Sequence, residues 1–223
     1  MSWEPLFISI KTAVASIVVT FIFGTAAAWG VALIRSQKLR SVLDGLLTLP
    51  LVLPPTVAGF MLLYVFGVKR PIGHFLVEFL GIKVVFNWSA TVIAAVAISF
   101  PLMYRSARGA FEQVEQNLLS AARTLGMSEW KVLRKVWLPL AAPGVISGGM
   151  LAFARGLGEF GATAMIAGNI AGKTRTLPLA IYSEVAGGNM ENAYEYVAIL
   201  AVVSFLVVTG MNWVVARRRK WSK

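Results

Sequence analysis

Arg155 and Glu159 are the residues of this chain best placed for charge chemistry in a dry environment. They stand four apart inside an apolar run over residues 144–167, a spacing that puts both side chains on one helix face. Alone at mid-bilayer each charge costs about 2.5–3.5 kcal/mol on insertion scales, so the two must pair or face water. Two readings fit: a pair on a pathway or subunit interface, and a structural pair inside a helix bundle. A second motif, Gly168-Asn169-Ile170-Ala171-Gly172-Lys173-Thr174, has the residue types of a phosphate-binding loop. Its spacing fails, because three residues rather than four separate Gly168 from Gly172, and Pro178 blocks the helix that should follow. Any nucleotide chemistry therefore belongs to another chain. With no cysteine and one histidine, His74, a thiol nucleophile, a disulfide framework and a histidine-based metal cluster are excluded too. No catalytic residue, metal or cofactor is expected.

The elements that position the Arg155–Glu159 pair must be membrane spans. At 57% hydrophobic and 14% charged residues, with a mean hydropathy of +0.73, the chain is too apolar for water to cover. Its 223 residues admit a single membrane domain over 1–223, since each crossing takes roughly 20 apolar residues. Runs over 12–34, 46–66, 88–104, 144–167 and 194–216 predict five transmembrane helices in an all-α polytopic membrane protein. Segments 72–82 and 177–186 have only about ten residues each and are not counted as crossings.

The net charge of +11 follows this layout and does not point to nucleic acid. With the N-terminus outside and the C-terminus inside, the inner segments hold Arg35, Lys38, Arg40, Arg105, Arg108, Arg123, Lys131, Arg134, Lys135, Arg217, Arg218, Arg219, Lys220 and Lys223. Only Lys11, Lys69, Arg70, Lys83, Lys173 and Arg175 fall outside. Glu4 and the lack of a basic residue before Lys11 argue against a cleaved signal, so the first span is expected to be retained. Trp3, Trp29, Trp88, Trp137 and Trp213 lie near span ends, as amphipathic rings at the headgroup layer would.

Pro50, Pro54 and Pro55 interrupt the second span. Each removes a backbone donor and clashes with the preceding turn, so the span must kink or break, either beside a wet cavity or as a packing feature. Gly144, Gly148, Gly149, Gly156, Gly158 and Gly161 give the fourth span several close-packing surfaces, with a hinge as the alternative.

The loop over 105–139 is too long for an ordinary helix connection of roughly 2 to 8 residues. It contains a short helix at about 117–126, with Leu118, Ala122 and Leu125 at helical spacing on a small apolar face and Gly126 as terminator. Trp130, Leu133, Val136 and Trp137 predict a second amphipathic stretch along the inner membrane surface, turning into the fourth span at Pro139. This is either a docking element for a partner or an interfacial hairpin.

Ala121-Ala122, Gly126 and Val136-Trp137-Leu138-Pro139 resemble the EAA motif of ABC importer membrane subunits, departing from it at Ser120, where that family has glutamate. Phe153-Ala154-Arg155-Gly156-Leu157-Gly158-Glu159-Phe160-Gly161, Thr174-Arg175-Thr176-Leu177-Pro178 and the Pro50-Leu51-Val52-Leu53-Pro54-Pro55 segment are similar to molybdate permeases over nearly the whole chain. The resemblance implies a type I ABC importer permease fold and two copies forming one pathway. It also implies a cytoplasmic ABC ATPase dimer that hydrolyses ATP, and an extracytoplasmic molybdate-binding protein. In that family Leu118, Leu119, Ala121, Ala122, Arg123, Leu125 and Gly126 would couple to the ATPase. Pro54, Pro55, Arg155, Glu159 and Gly161 would border the pathway or the subunit interface. Lys173 and Arg175 would steer the anion or contact the binding protein, or merely face solvent. Tungstate and sulfate are the alternative cargoes. An ion-coupled carrier or a membrane scaffold are the alternatives of another class.

Overall fold

A computed structural model describes the backbone of residues 2–220 and the side chains through Met211, together with Trp213. Lys223 and the side chains of Arg217, Arg218, Arg219 and Lys220, which the reading of the inner tail uses, lie outside the described residues. α1 (Glu4–Ala32) opens with Glu4 and Pro5 in its first turn, where an acidic side chain and a missing N–H are both favourable. Thr12, Ser16, Thr20, Gly24 and Ala28, repeating every four residues, form its buried stripe, while Phe7, Val14, Val18 and Ile22 are exposed. The stripe lies against α5 (Trp88–Glu112): Thr12 and Thr91 share a hydrogen bond of 2.9 Å, Thr20 and Ser99 one of 3.2 Å, and Gly24 meets Met103. Small residues and hydroxyl pairs are how helices adhere where lipid supplies no hydrophobic drive.

The two hydrogen bonds join residues the same 79 positions apart, so α1 and α5 run parallel. The chain between them must therefore cross back once. α2 (Gln37–Val52) and α3 (Pro55–Phe66) make that return as a span bent by 110°. Pro54 and Pro55 have no N–H for the Pro50 and Leu51 carbonyls, and Leu53 and Pro54 take extended backbone angles. α4 (Pro71–Leu80) is short and ends at Gly81, whose φ of 65° lets the chain reverse.

α6 (Gln116–Thr124) and α7 (Glu129–Val132) follow α5. α7 continues through a π-helical turn, Leu133–Trp137, into α8 (Leu138–Leu157). Here the structure corrects the expected surface helix and turn at Pro139. Glu129–Leu157 is one continuous helix with an apolar stretch long enough to cross a membrane, and the π turn accommodates the missing Pro139 donor. Trp137 is correspondingly buried, donating from Nε1 to the Phe111 carbonyl at 2.9 Å. α8 runs antiparallel to α5, with Gly144 against Ala110, Gly148 against Ser106 and Gly156 facing Ala95 of α5 beyond its nearest neighbour, Ser16 of α1.

The fourth predicted span is also corrected. It is not one helix over 144–167: α8 stops at Leu157 and α9 (Gly161–Ala167) starts after a three-residue break. α10 (Leu177–Ala186) stays near the start of α1, where the Leu177 N–H donates to Ser9 Oγ at 2.7 Å. α11 (Met190–Lys220) starts at that same end, with Tyr196 bonded to Ser2. Among the described residues α10 therefore adds no crossing, and α1, α2 with α3, α5, α8 continued by α9, and α11 account for five.

Candidate functional site

The two broken spans meet. α3 and α9 begin side by side: a Cβ on Gly161 would lie 2.9 Å from Pro55 Cβ, and one on Gly59 would lie 2.6 Å from Ala162 Cα. Glycine is required at Gly59 because backbone, not a flexible side chain, occupies that space. Gly59→Val is expected to cost about 1–3 kcal/mol through overpacking, read as a lower Tm in detergent, whereas Gly45→Ala, at a position with open space, should leave Tm within a degree or so.

Glu159 sits in the α8–α9 break, 3% exposed. Its Oε1 accepts from the Ala162 N–H at 2.8 Å, satisfying one of the orphan donors at the start of α9. Its Oε2 lies 2.8 Å from Arg155 Nη1. That contact is Coulombic more than directional, since Oε2 lacks a well-angled hydrogen bond. The pair survives the end of α8 because the Glu159 N–H returns to the Gly156 carbonyl at 3.3 Å, tightening the last turn. Arg155 keeps one-third of its side chain accessible. Pro55, Gly161, Glu159 and Arg155 thus form one chain of neighbours, with Pro54 exposed on its border. The capping role of Glu159 was invisible in the sequence because the span read as unbroken.

The loop helix α6 forms where expected, with its faces assigned differently. Leu119 and Ala122 are buried against a core that includes Phe111, Val132 and Trp137. Leu118, Ala121, Leu125 and Gly126 face outward, Leu125 at 78% exposure. Ala122 therefore does not share a face with Leu118 and Leu125. Gly126 has φ 78° and closes the helix: Met127 N–H donates to the Ala122 carbonyl at 3.2 Å and Gly126 N–H to the Arg123 carbonyl at 2.9 Å, the Schellman pattern. Arg123 forks onto the Glu129 carboxylate at 2.7 and 3.1 Å, and this hydrogen bonding pushes its pKa up from the ordinary arginine value. That fork braces α6 on α7. Arg123→Ala and Glu129→Ala are each expected to accelerate protease cleavage between α6 and α7 by a similar few-fold factor, with the double variant no faster, because both remove one interaction.

Lys173 and Arg175 stand apart from the Arg155 locus, on a self-closed turn. The Ile170 carbonyl accepts from the N–H groups of Lys173, Thr174 and Arg175 at 3.1, 2.9 and 3.0 Å, and Arg175 Nε donates to Asn169 Oδ1 at 2.8 Å. With those N–H groups turned inward, no phosphate cradle forms. Two clusters escaped the sequence reading. Lys69, Arg70 and Lys83 border a hollow of about 720 Å³ beside Tyr64, with Arg70 stacked 3.9 Å over the Tyr64 ring. Asp44, Tyr104, Arg108 and Glu112 join α2 to α5. Neither group is contiguous in sequence, so no motif announces it.

Relatives cover almost the same length. The molybdenum transport system permease protein ModB of Escherichia coli (strain K12) is 41% identical over 92% of this chain and 91% of its own. The protein of the same name from Mycobacterium tuberculosis is 44% identical over 95% and 79%. Among solved structures, the inward-facing MetNI methionine ABC transporter superposes with a TM-score of 0.76, covering 97% of this chain and 99% of that one at 17% identity, a likeness of fold. The model of the binding-protein-dependent transport system inner membrane component family matches residues 9–220, and the chain belongs to that family as a multi-pass inner-membrane protein.

Proposed function

We propose that this chain is the membrane-spanning permease subunit of an ATP-driven ABC importer for molybdate. The carrying observation is the identity of 41–44% over more than nine-tenths of the chain to proteins named as molybdenum transport permeases. Tungstate and sulfate, tetrahedral dianions like molybdate, are the alternative cargoes. The chain contributes a pathway and leaves hydrolysis to a separate ABC ATPase dimer on the cytoplasmic side. Residues 1–223 form one permease domain, and two copies enclose the pathway. A molybdate-binding protein delivers the anion from outside. The distribution of basic residues supports an outer N-terminus and a cytoplasmic 105–139 loop.

In this reading α6 is the docking helix. Leu118, Ala121, Leu125 and Gly126 touch the ATPase, Leu119 and Ala122 tie the helix to the bundle, and Arg123 fixes its attitude. ATP binding draws the two α6 helices together and opens the pathway outward, and hydrolysis resets it. Pro54, Pro55, Gly161, Arg155 and Glu159 border the path where the two broken spans meet, Arg155 offering positive charge to a passing oxyanion. Lys173 and Arg175, on their closed turn, are the proposed outer contacts. The ion-coupled carrier is less favoured because Glu159, the buried acidic residue of the α8–α9 break, is already engaged by the Ala162 N–H and Arg155. A scaffold would not need the broken spans.

The docking role is tested by co-expression with the ABC ATPase of the same transporter. The wild-type chain should retain the ATPase through purification. Leu125→Asp, on a side chain too exposed to disturb the fold, should reduce that retention about tenfold or more. Full retention by Leu125→Asp, or no ATPase on the wild-type chain, contradicts the proposal.

A further inference from the structure

α2 is held to the bundle in an unusual way: none of its residues is buried. Leu43 and Leu47 lean half-buried on the core around Tyr104 and Phe111, and Arg40, in the first turn, donates to the Ile34 carbonyl at 2.7 Å. The tie to α5 is Asp44. Its Oδ1 accepts from the Tyr104 hydroxyl and lies 3.6 Å from Arg108 Nε, while Arg108 Nη1 lies 2.8 Å from Glu112 Oε1. Tyr104 and Arg108 are buried, and Arg108 Nε has no well-formed hydrogen bond. These groups surround a hollow of about 340 Å³ that Arg105 and Thr48 also border. Removing the Asp44 charge would weaken the acceptor of the buried Tyr104 hydroxyl and leave the buried Arg108 guanidinium with Glu112 alone as its charged partner.

What lies at the two ends of this joint gives it a role. Beyond Arg108, α5 reaches Phe111, whose carbonyl takes the Trp137 indole N–H, and then α6. Beyond Asp44, α2 reaches the Leu53–Pro54 elbow, whose far side, Pro55, touches Gly161. Leu43 and Leu47 give α2 only half-buried apolar contacts with that core, so the polar joint to the buried Tyr104 and Arg108 is the firmer path for a push. We propose that Asp44, through Tyr104 and Arg108, is the positioning residue by which displacement of the α6 loop reaches the elbow of the broken second span. This rests on the docking role given to α6 above.

The chain has no cysteine, so spin labels can be placed at Val52→Cys, on the elbow, and at Ser120→Cys, on α6, both at exposed positions. Distances between the labels of the two copies are measured in the complete transporter in bilayers, with and without ATP under non-hydrolysing conditions. Both distances should shift in the otherwise unsubstituted chain. In Asp44→Asn the Ser120 shift should persist while the Val52 shift shrinks by about threefold or more, and Asp44→Glu should restore it. Tyr104→Phe, which keeps the ring, should weaken the Val52 shift in the same sense and serves where Asp44→Asn does not assemble. A Val52 shift of full size in Asp44→Asn or Tyr104→Phe, beside an intact Ser120 shift, overturns the joint alone. A missing Ser120 shift in the parent chain overturns the docking reading, and the joint with it.

Discussion

Gly126→Val is expected to leave the helical bundle assembled and to cut anion uptake per ATP hydrolysed by about tenfold or more, the upper range of measured coupling effects. Gly126 has φ 78°, a region where a side chain costs about 1–2 kcal/mol and where a β-branched residue is a true outlier. A Cβ there meets nothing within 4 Å, so the penalty is conformational and local. The strain is relieved by abandoning the Met127–Ala122 and Gly126–Arg123 hydrogen bonds that end α6. Loss of that cap reorients Leu125 and the outward face without touching Leu119 and Ala122 in the core. Gly126→Asn, tolerated in left-handed backbone, should retain most of the coupling. Measured as uptake and ATPase rate on the same proteoliposomes, an unchanged ratio in Gly126→Val would remove α6 from the coupling path.

The second large effect is at the α8–α9 break. Glu159→Gln keeps the shape and an acceptor for the Ala162 N–H but removes the charge opposite Arg155, and breaking a buried pair in this way costs about 3–5 kcal/mol. Because Arg155 is one-third exposed and partly solvated, the low end, about 3 kcal/mol, is expected as a loss of thermal stability. Transport should fall at least tenfold. The pair substitution Arg155→Gln with Glu159→Gln separates structure from pathway. It should recover most of the stability, since no charge is left unpaired, while uptake stays low because the guanidinium proposed to meet the anion is gone. Recovery of both would reduce Arg155 and Glu159 to a structural pair.

The elements were legible where a single physical constraint decided them. Span length and apolar continuity gave α1, α5 and α11. Three prolines announced the α2–α3 elbow, and the glycine at 126 marked the end of α6. The break after α8 was not legible, since residues 144–167 contain no proline and their hydropathy is continuous. Glu159 makes the break tolerable by capping α9, a contact that exists only once the break has formed. The face of α6 was misread for a related reason. Periodicity groups Leu118, Ala122 and Leu125, yet which side turns inward depends on α5 and the π turn supplying a pocket for Leu119 and Ala122. The Asp44, Tyr104 and Arg108 joint spans about sixty residues of sequence and had no local signature. The meeting of Pro55 with Gly161 likewise appears only in three dimensions.

The central claim, that this chain is the pathway of an ATP-driven molybdate importer, is tested most directly by uptake of labelled molybdate into proteoliposomes. These hold the chain with its ATPase, supplied with its binding protein outside and ATP inside. The account predicts accumulation that requires both ATP and the binding protein, competed by tungstate and less by sulfate, and abolished when the ATPase is omitted. Accumulation that persists without ATP but follows an ion gradient, or none under any of these conditions, would contradict it.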